Sequence, residues 1–212
     1  AMMVGGLSSL MIQALHPRAL AAVWDHSNFR HQLKARLGRT AMFVAATTYG
    51  GVDLANQHIQ RVNSIHANIR GIDLNGKPYC ANDPHLIRWV HLVETISFLT
   101  AYQHLSLLPL SAAECDRYIV EMNKVGEMLG ATNLPITFND AKKAMKQYEF
   151  ELVFDHRTRE TLQSIESYSV EFTEKPFFDL ILRSSFDIIP DWVLQKLQKT
   201  SDGCLRIQAR RL

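Results

Sequence analysis

Apolar side chains recur at steps of three and four along almost the whole chain, and no stretch alternates every second residue between hairpin turns. The spacing predicts an all-α fold. A first helix is expected over residues 7–15, and a second opens at Pro17 and carries Leu20, Val23 and Trp24 toward Asp25. A third, over 29–49, puts Leu33, Leu37, Ala41, Val44 and Thr48 on one stripe and ends at Gly50-Gly51; a fourth, over 52–70, carries Ile59, Val62, His66 and Ile69 and ends at Gly71. Residues 72–84 hold Asn75-Gly76, Pro78 and Asn82-Asp83-Pro84 and read as a turn-rich loop.

A long helix follows over 85–107, until Pro109 stops it and Ser111 caps the next, over 112–129, which Gly130 closes. Leu134-Pro135 reads as a linker, after which Asn139 or Asp140 caps a helix through about residue 154. Further helices are expected near 157–172, 177–184 and 191–199, before a basic tail with Arg206, Arg210 and Arg211. The pattern amounts to one helical bundle of eight to ten helices, a single domain over residues 1–212.

Composition narrows the class. Of 212 residues 47% are hydrophobic, enough for a sizeable core and too many for a disordered chain. Lys and Arg number 23 against 21 Asp and Glu, so the net charge of +2 lacks the concentrated positive field that nucleic-acid binding uses, and no nucleic-acid partner is expected. Cys80, Cys115 and Cys204 are isolated and odd in number, which fits a reducing compartment and a cytoplasmic location. Residues 1–17 carry no charge before the helix of Pro17 but also no basic start, and read poorly as a signal peptide. The uncharged run 95–113 contains Gln103, His104 and Pro109, so it reads as a buried helix, and no membrane span is expected.

Direct search finds no G-x-G-x-x-G, no G-x-x-x-x-G-K-[ST], no G-x-S-x-G and no H-E-x-x-H. No Glu or Asp has a His three positions later, which removes the di-iron bundle. Nine histidines then become the side chains to explain. His66 shares the stripe of Ile59, Val62 and Ile69, so its ring should face the interior, either as a core histidine bonded to a carbonyl or as an axial ligand to haem iron. On the preceding helix Arg36, Thr40, Phe43 and Thr47 fall on a second face. Arg36 there is either solvated beside Lys34 and Arg39 or paired with a cofactor carboxylate, and Thr40 could bond in the same pocket. His16 and His26 sit at element boundaries and read as caps; His91 shares a face with Ile87 and Glu94 and either lines a pocket or packs beside Trp89. His58, His85, His104 and His156 read as surface or structural.

The order of certain strings carries more than any one of them. Leu15-His16-Pro17-Arg18-Ala19, Asp25-His26-Ser27-Asn28-Phe29-Arg30, Arg36-Leu37-Gly38-Arg39-Thr40 and His66-Ala67-Asn68-Ile69-Arg70-Gly71, followed by Asn75-Gly76-Lys77-Pro78-Tyr79 and Trp89-Val90-His91, resemble the haem-dependent oxygenase family of latex-clearing protein (rubber oxygenase) and MpaB, most strongly over residues 8–130. The resemblance implies a haem b cofactor with His66 as the iron's axial ligand, Arg36 and Thr40 as catalytic and cofactor-binding side chains, and Phe43 in the same pocket. It implies oxidation of a hydrophobic small-molecule substrate with dioxygen, oxidative cleavage of a carbon–carbon double bond being one form. Two departures limit the transfer. Arg39 stands where rubber oxygenases have a lysine able to reach the iron, and a guanidinium does not ligate. No Glu precedes Glu94, so the glutamate proposed as a base in those enzymes has no match, and polyisoprene cleavage is not implied. A non-catalytic haem carrier or sensor, and a haem-free helical interaction module, are the competing readings.

Overall fold

Two apolar helices meet at the centre of the molecule: α1, Met2–Gln13, and α5, Pro84–Leu105. Val4, Leu7, Met11 and Ile12 of α1 join Trp89, Leu92, Val93, Ile96 and Leu99 of α5 in one buried cluster, the apolar burial that drives the fold. The two backbones approach closely at Gly5, where a Cβ would lie 2.8 Å from Phe98 Cδ1 and 2.9 Å from Phe98 Cα. Only glycine fits between them. The computed structural model describes residues 1–27 and 32–201, which form ten α-helices and one short hairpin.

Caps written in the sequence set most boundaries. Pro17 opens α2, Pro17–His26, and Pro84 opens α5. Ser111 and Glu114 form a reciprocal box at the start of α6, Ala112–Leu129, which ends at Gly130 with φ 105°. Thr137, not Asn139 or Asp140, caps α7, Phe138–Gln147: its Oγ1 accepts from Asp140 N at 3.1 Å. A 3-10 turn at Tyr148–Phe150 follows, then α8, His156–Glu166, whose start accepts through Asp155 Oδ1 from Thr158 N at 2.9 Å. The last helices, α9 Lys175–Asp187 and α10 Asp191–Lys196, supply Ile181, Val193 and Leu194 to the same core as α1.

Helices α3, Leu33–Tyr49, and α4, Val52–His66, form a helical hairpin over Gly50-Gly51. It meets the body mainly where α4 packs on α6, and Met42, Tyr49, Val52 and Leu54 stay exposed. Residues 29–31 of the expected third helix, and the basic tail with Cys204, lie outside the described residues.

The expected fourth helix stops early. It ends at His66, where Asn68 Nδ2 donates to Ser64 O at 3.0 Å, and the chain turns into strand β1, Arg70–Ile72. β1 pairs antiparallel with β2, Pro78–Cys80, so the expected loop over 72–84 holds part of a hairpin. Asp73 Oδ1 organises its turn by accepting from Asn75 N at 2.9 Å and Lys77 N at 2.8 Å. Strands of three residues are too short to show an alternating pattern, which is why the sequence did not display them. The hairpin is tied beneath α2: Tyr79 Oη donates to Asp25 Oδ2 at 2.7 Å, and the phenol is pushed up to about 12 by burial and by that carboxylate.

Candidate cofactor and substrate cavity

Between the α3–α4 hairpin and the body lies a cavity of about 430 Å³, within the range of small-molecule sites. Its wall is mostly apolar: Phe43 and Val44 from α3, Leu86 and Val90 from α5, Met122 and Val125 from α6. Apart from tyrosines, four side chains able to carry charge interrupt it, namely Arg36, His66, His91 and Glu94. Each comes from the cavity-facing side of its helix, and α5 supplies two of them one turn apart, as i,i+3 spacing requires.

His66 stands at the C-terminal end of α4 and is half-buried. Its Nδ1 is buried with no hydrogen-bond partner among the described residues. Burial also holds the imidazole below its ordinary pKa, so it is neutral and its free nitrogen is a competent ligand. Arg36 reaches the cavity from the first turns of α3. Its Nη1 donates to Ser27 Oγ at 3.3 Å, yet no carboxylate pairs with it among the described residues. Burial, and then the charge of Arg39, depress its pKa.

Phe43 is in the wall beside these groups, whereas Thr40 is exposed and outside the wall. Thr40 shares the Arg36 stripe, but residues 38–42 of α3 stand clear of the body, and side chains at that level meet solvent. Sequence periodicity orders a face without saying how far along it a neighbour extends.

His91 is buried, and two side chains hold its ring at Nε2. Its Nε2–H points at Asn123 Oδ1 (3.4 Å) and Thr95 Oγ1 (3.5 Å), while Asn123 Nδ2 donates to Pro135 O at 2.8 Å, which turns the amide oxygen toward the ring. Burial lowers its pKa, partly offset by Asn123. Glu94, one turn on, makes no hydrogen bond or ion pair among the described residues, and burial pushes its carboxyl up to about 7. Sequence reading gave Glu94 no role. A signal was present: it is the sole acidic residue in a 22-residue, mostly apolar helix.

A second polar group lies apart from the cavity. His16, His85 and Glu151 bring one donor atom each within 4.8 Å of one another. His85 Nε2–H donates to Glu151 Oε1 at 2.7 Å, and buried His16 Nε2 lies 3.4 Å from Glu151 Oε2. His16 Nδ1 accepts from Ala19 N at 3.5 Å, which serves as the expected cap and leaves the ring proton on Nε2, facing Glu151. Arg18 adds contacts to Glu151 Oε2 at 3.4 Å and Asp83 Oδ2 at 3.3 Å. With that tautomer the group works as an ion network joining α2, α5 and the chain after the 3-10 turn. His85, read from the sequence as surface or structural, is a member of this network.

No helix among the described residues is long and apolar enough to cross a membrane. The family model described as "ER-bound oxygenase mpaB/B'/Rubber oxygenase, catalytic domain" matches residues 1–212. No curated protein and no solved structure matches the chain.

Proposed function

The chain belongs to the mpaB and rubber oxygenase catalytic-domain family, and on that premise we propose that it is a haem b-dependent oxygenase that oxidises a hydrophobic small molecule with dioxygen. One observation carries the haem assignment. One apolar cavity holds a neutral imidazole with a buried nitrogen and a desolvated guanidinium, and among the described residues the nitrogen has no hydrogen-bond partner and the guanidinium no counter-anion. Those are the two needs that an iron and a propionate would meet together.

In this reading His66 would hold the iron, Arg36 would pair with a propionate and Phe43 would offer the macrocycle an apolar surface. Bound there, haem supplies a redox-active iron with a coordination position open to dioxygen. The chain's own work is to bind and exclude. Phe43, Val44, Leu86 and Val90 keep water from the reacting groups and favour an apolar substrate over a polar one. His91 is held in one orientation by Asn123 and Thr95, so it shapes the wall without moving into it. Oxidative cleavage of a carbon–carbon double bond is the reaction form proposed for such a substrate. Free thiols at Cys80 and Cys115 support the reducing, cytoplasmic setting proposed with it.

Loading the purified protein with haemin and recording the Soret band tests the assignment. The wild type should show the band, and His66→Ala should lose or shift it; an unshifted band in the variant moves the ligand elsewhere. Dioxygen uptake with product formed from candidate alkenes then separates an oxygenase from a carrier, which would bind gas reversibly without turnover.

A further inference from the structure

Among the described residues the cavity's carboxyl, Glu94, has no hydrogen bond or ion pair. Glu94 lies on the wall among apolar side chains, and among the described residues none of the titratable groups that share the wall satisfies it: Tyr49 Oη donates to Met2 Sδ, and neither Tyr102 nor the Ala1 amine bonds to it. His91, on the same helix, directs its Nε2–H to Asn123 and Thr95. Tyr118 of α6 faces the same space, and the Glu94 charge helps to raise its phenol, but no hydrogen bond joins them. Arg36 of α3 spends its one described hydrogen bond on Ser27, and His66 of α4 makes no ion pair. Glu94 is half-buried, and a carboxyl set in an apolar wall with no partner among the described residues is poorly solvated, so its place in a ligand-sized cavity points to a partner that arrives with the ligand.

We propose that Glu94 is the specificity-determining contact of this cavity, the acceptor for a single hydrogen-bond-donating group, a hydroxyl or an amine, on an otherwise apolar ligand. The inference rests on the reading of this cavity as the substrate site, and it does not need haem to be present. Shape and chemistry agree: Leu86, Val90, Met122 and Val125 give the hydrocarbon part an apolar surface, and Glu94 gives it one fixed polar point. Such a site discriminates between a ligand that has the donor and an analogue that lacks it, because the analogue sets hydrocarbon against the carboxyl and leaves it unpaired. A carboxyl poised near neutrality also serves whichever donor arrives, ionising for an amine and accepting from a hydroxyl through either form.

Calorimetric titration with octan-1-ol and with 1-methoxyoctane, which lacks only the donor, tests it on the protein as purified. The wild type should prefer the alcohol by about tenfold or more. Glu94→Leu should bind both probes alike, and Glu94→Gln, which keeps an acceptor oxygen, should retain most of the preference. In infrared difference spectra the protonated carboxyl band of the wild type at pH 6 should shift when the alcohol is added and be missing from both variants. Equal preference in the wild type and Glu94→Leu, no binding of the alcohol to the wild type, or a band that does not respond to it would each overturn the proposal. The Soret band is read on the same samples. Its loss from the wild type would sink the haem assignment while the probe preference stood, and its persistence in Glu94→Leu with no change in preference would sink only this inference.

Discussion

The imidazole of His91 lies face-on against Gly126: a Cβ at position 126 would stand 2.9 Å from Cγ, Cδ2 and Cε1 of the ring alike. Helix α6 thus supports the cavity wall from behind by the absence of a side chain. Gly126→Ala should push the ring off Asn123 and into the cavity, with a loss of about 1–3 kcal/mol in denaturant unfolding as for other overpacked sites. It should also weaken any cavity ligand. Unfolding midpoints and probe binding measured on one preparation check both effects; unchanged binding would mean that the ring relaxes elsewhere.

Arg36 should matter for cofactor retention more than for folding. Arg36→Ala is expected to weaken haem binding by roughly 10- to 100-fold, the worth of one charge-assisted pair in a desolvated place, with Arg36→Lys intermediate because an ammonium keeps the charge and loses the fork. Haem transfer to an apo-globin acceptor gives the rate to compare.

Thr40 supplies a contrast on the same stripe. Because it is exposed and outside the wall, Thr40→Ala should change stability by less than about 0.5 kcal/mol and leave the Soret band where it is. A large effect would mean that the α3–α4 hairpin closes further onto the body when cofactor binds.

Acid should loosen the network at His16. Its ring, buried at 1% exposure, is held at about 4, below its unfolded value, so the native state resists the proton that the unfolded chain accepts. Stability is therefore full above about pH 6.5 and falls as pH drops from there toward 4, by up to about 3 kcal/mol. Burial raises the carboxyl of Glu151, but the hydrogen bond and charge of His85, with His16 and Arg18, outweigh it and hold it below the usual carboxylate range, so it adds a loss in the same direction as pH falls through its native value. Thermal melts between pH 7 and pH 4 should show the decline, and His16→Asn should flatten the upper part of it.

Glu94 gives the opposite slope. Its native value of about 7 lies above the unfolded one, so stability is full below about pH 4.5 and is lost as pH rises to about 7. Glu94→Gln should then raise the melting temperature at pH 8 and hardly move it at pH 4. Equal shifts at both pH values would show that the carboxyl is solvated.

Much of the architecture was legible because its causes are local. Pro17, Ser111 with Glu114, and Gly130 act on backbone groups within a turn of themselves, and they ended or began helices where the sequence placed them. The hairpin at β1 and β2 was not legible, since three-residue strands carry no periodic signature and depend on Tyr79 docking to Asp25 across 54 positions. His66, Arg36 and Phe43 were found as members of stripes and motifs; that they share one cavity, and that Thr40 does not, follows from where the hairpin stops touching the body.

By itself the sequence determined the helical class, most of the caps, the absence of common catalytic motifs and the short strings that mark the oxygenase family, for these depend on neighbours along the chain. Tertiary structure alone decided which faces became cavity wall, which set Glu94 half-buried among apolar side chains with no partner among the described residues and pressed His91 against Gly126. Dielectric surroundings and close packing are set by residues far apart in sequence, and no pattern of nearest neighbours encodes them.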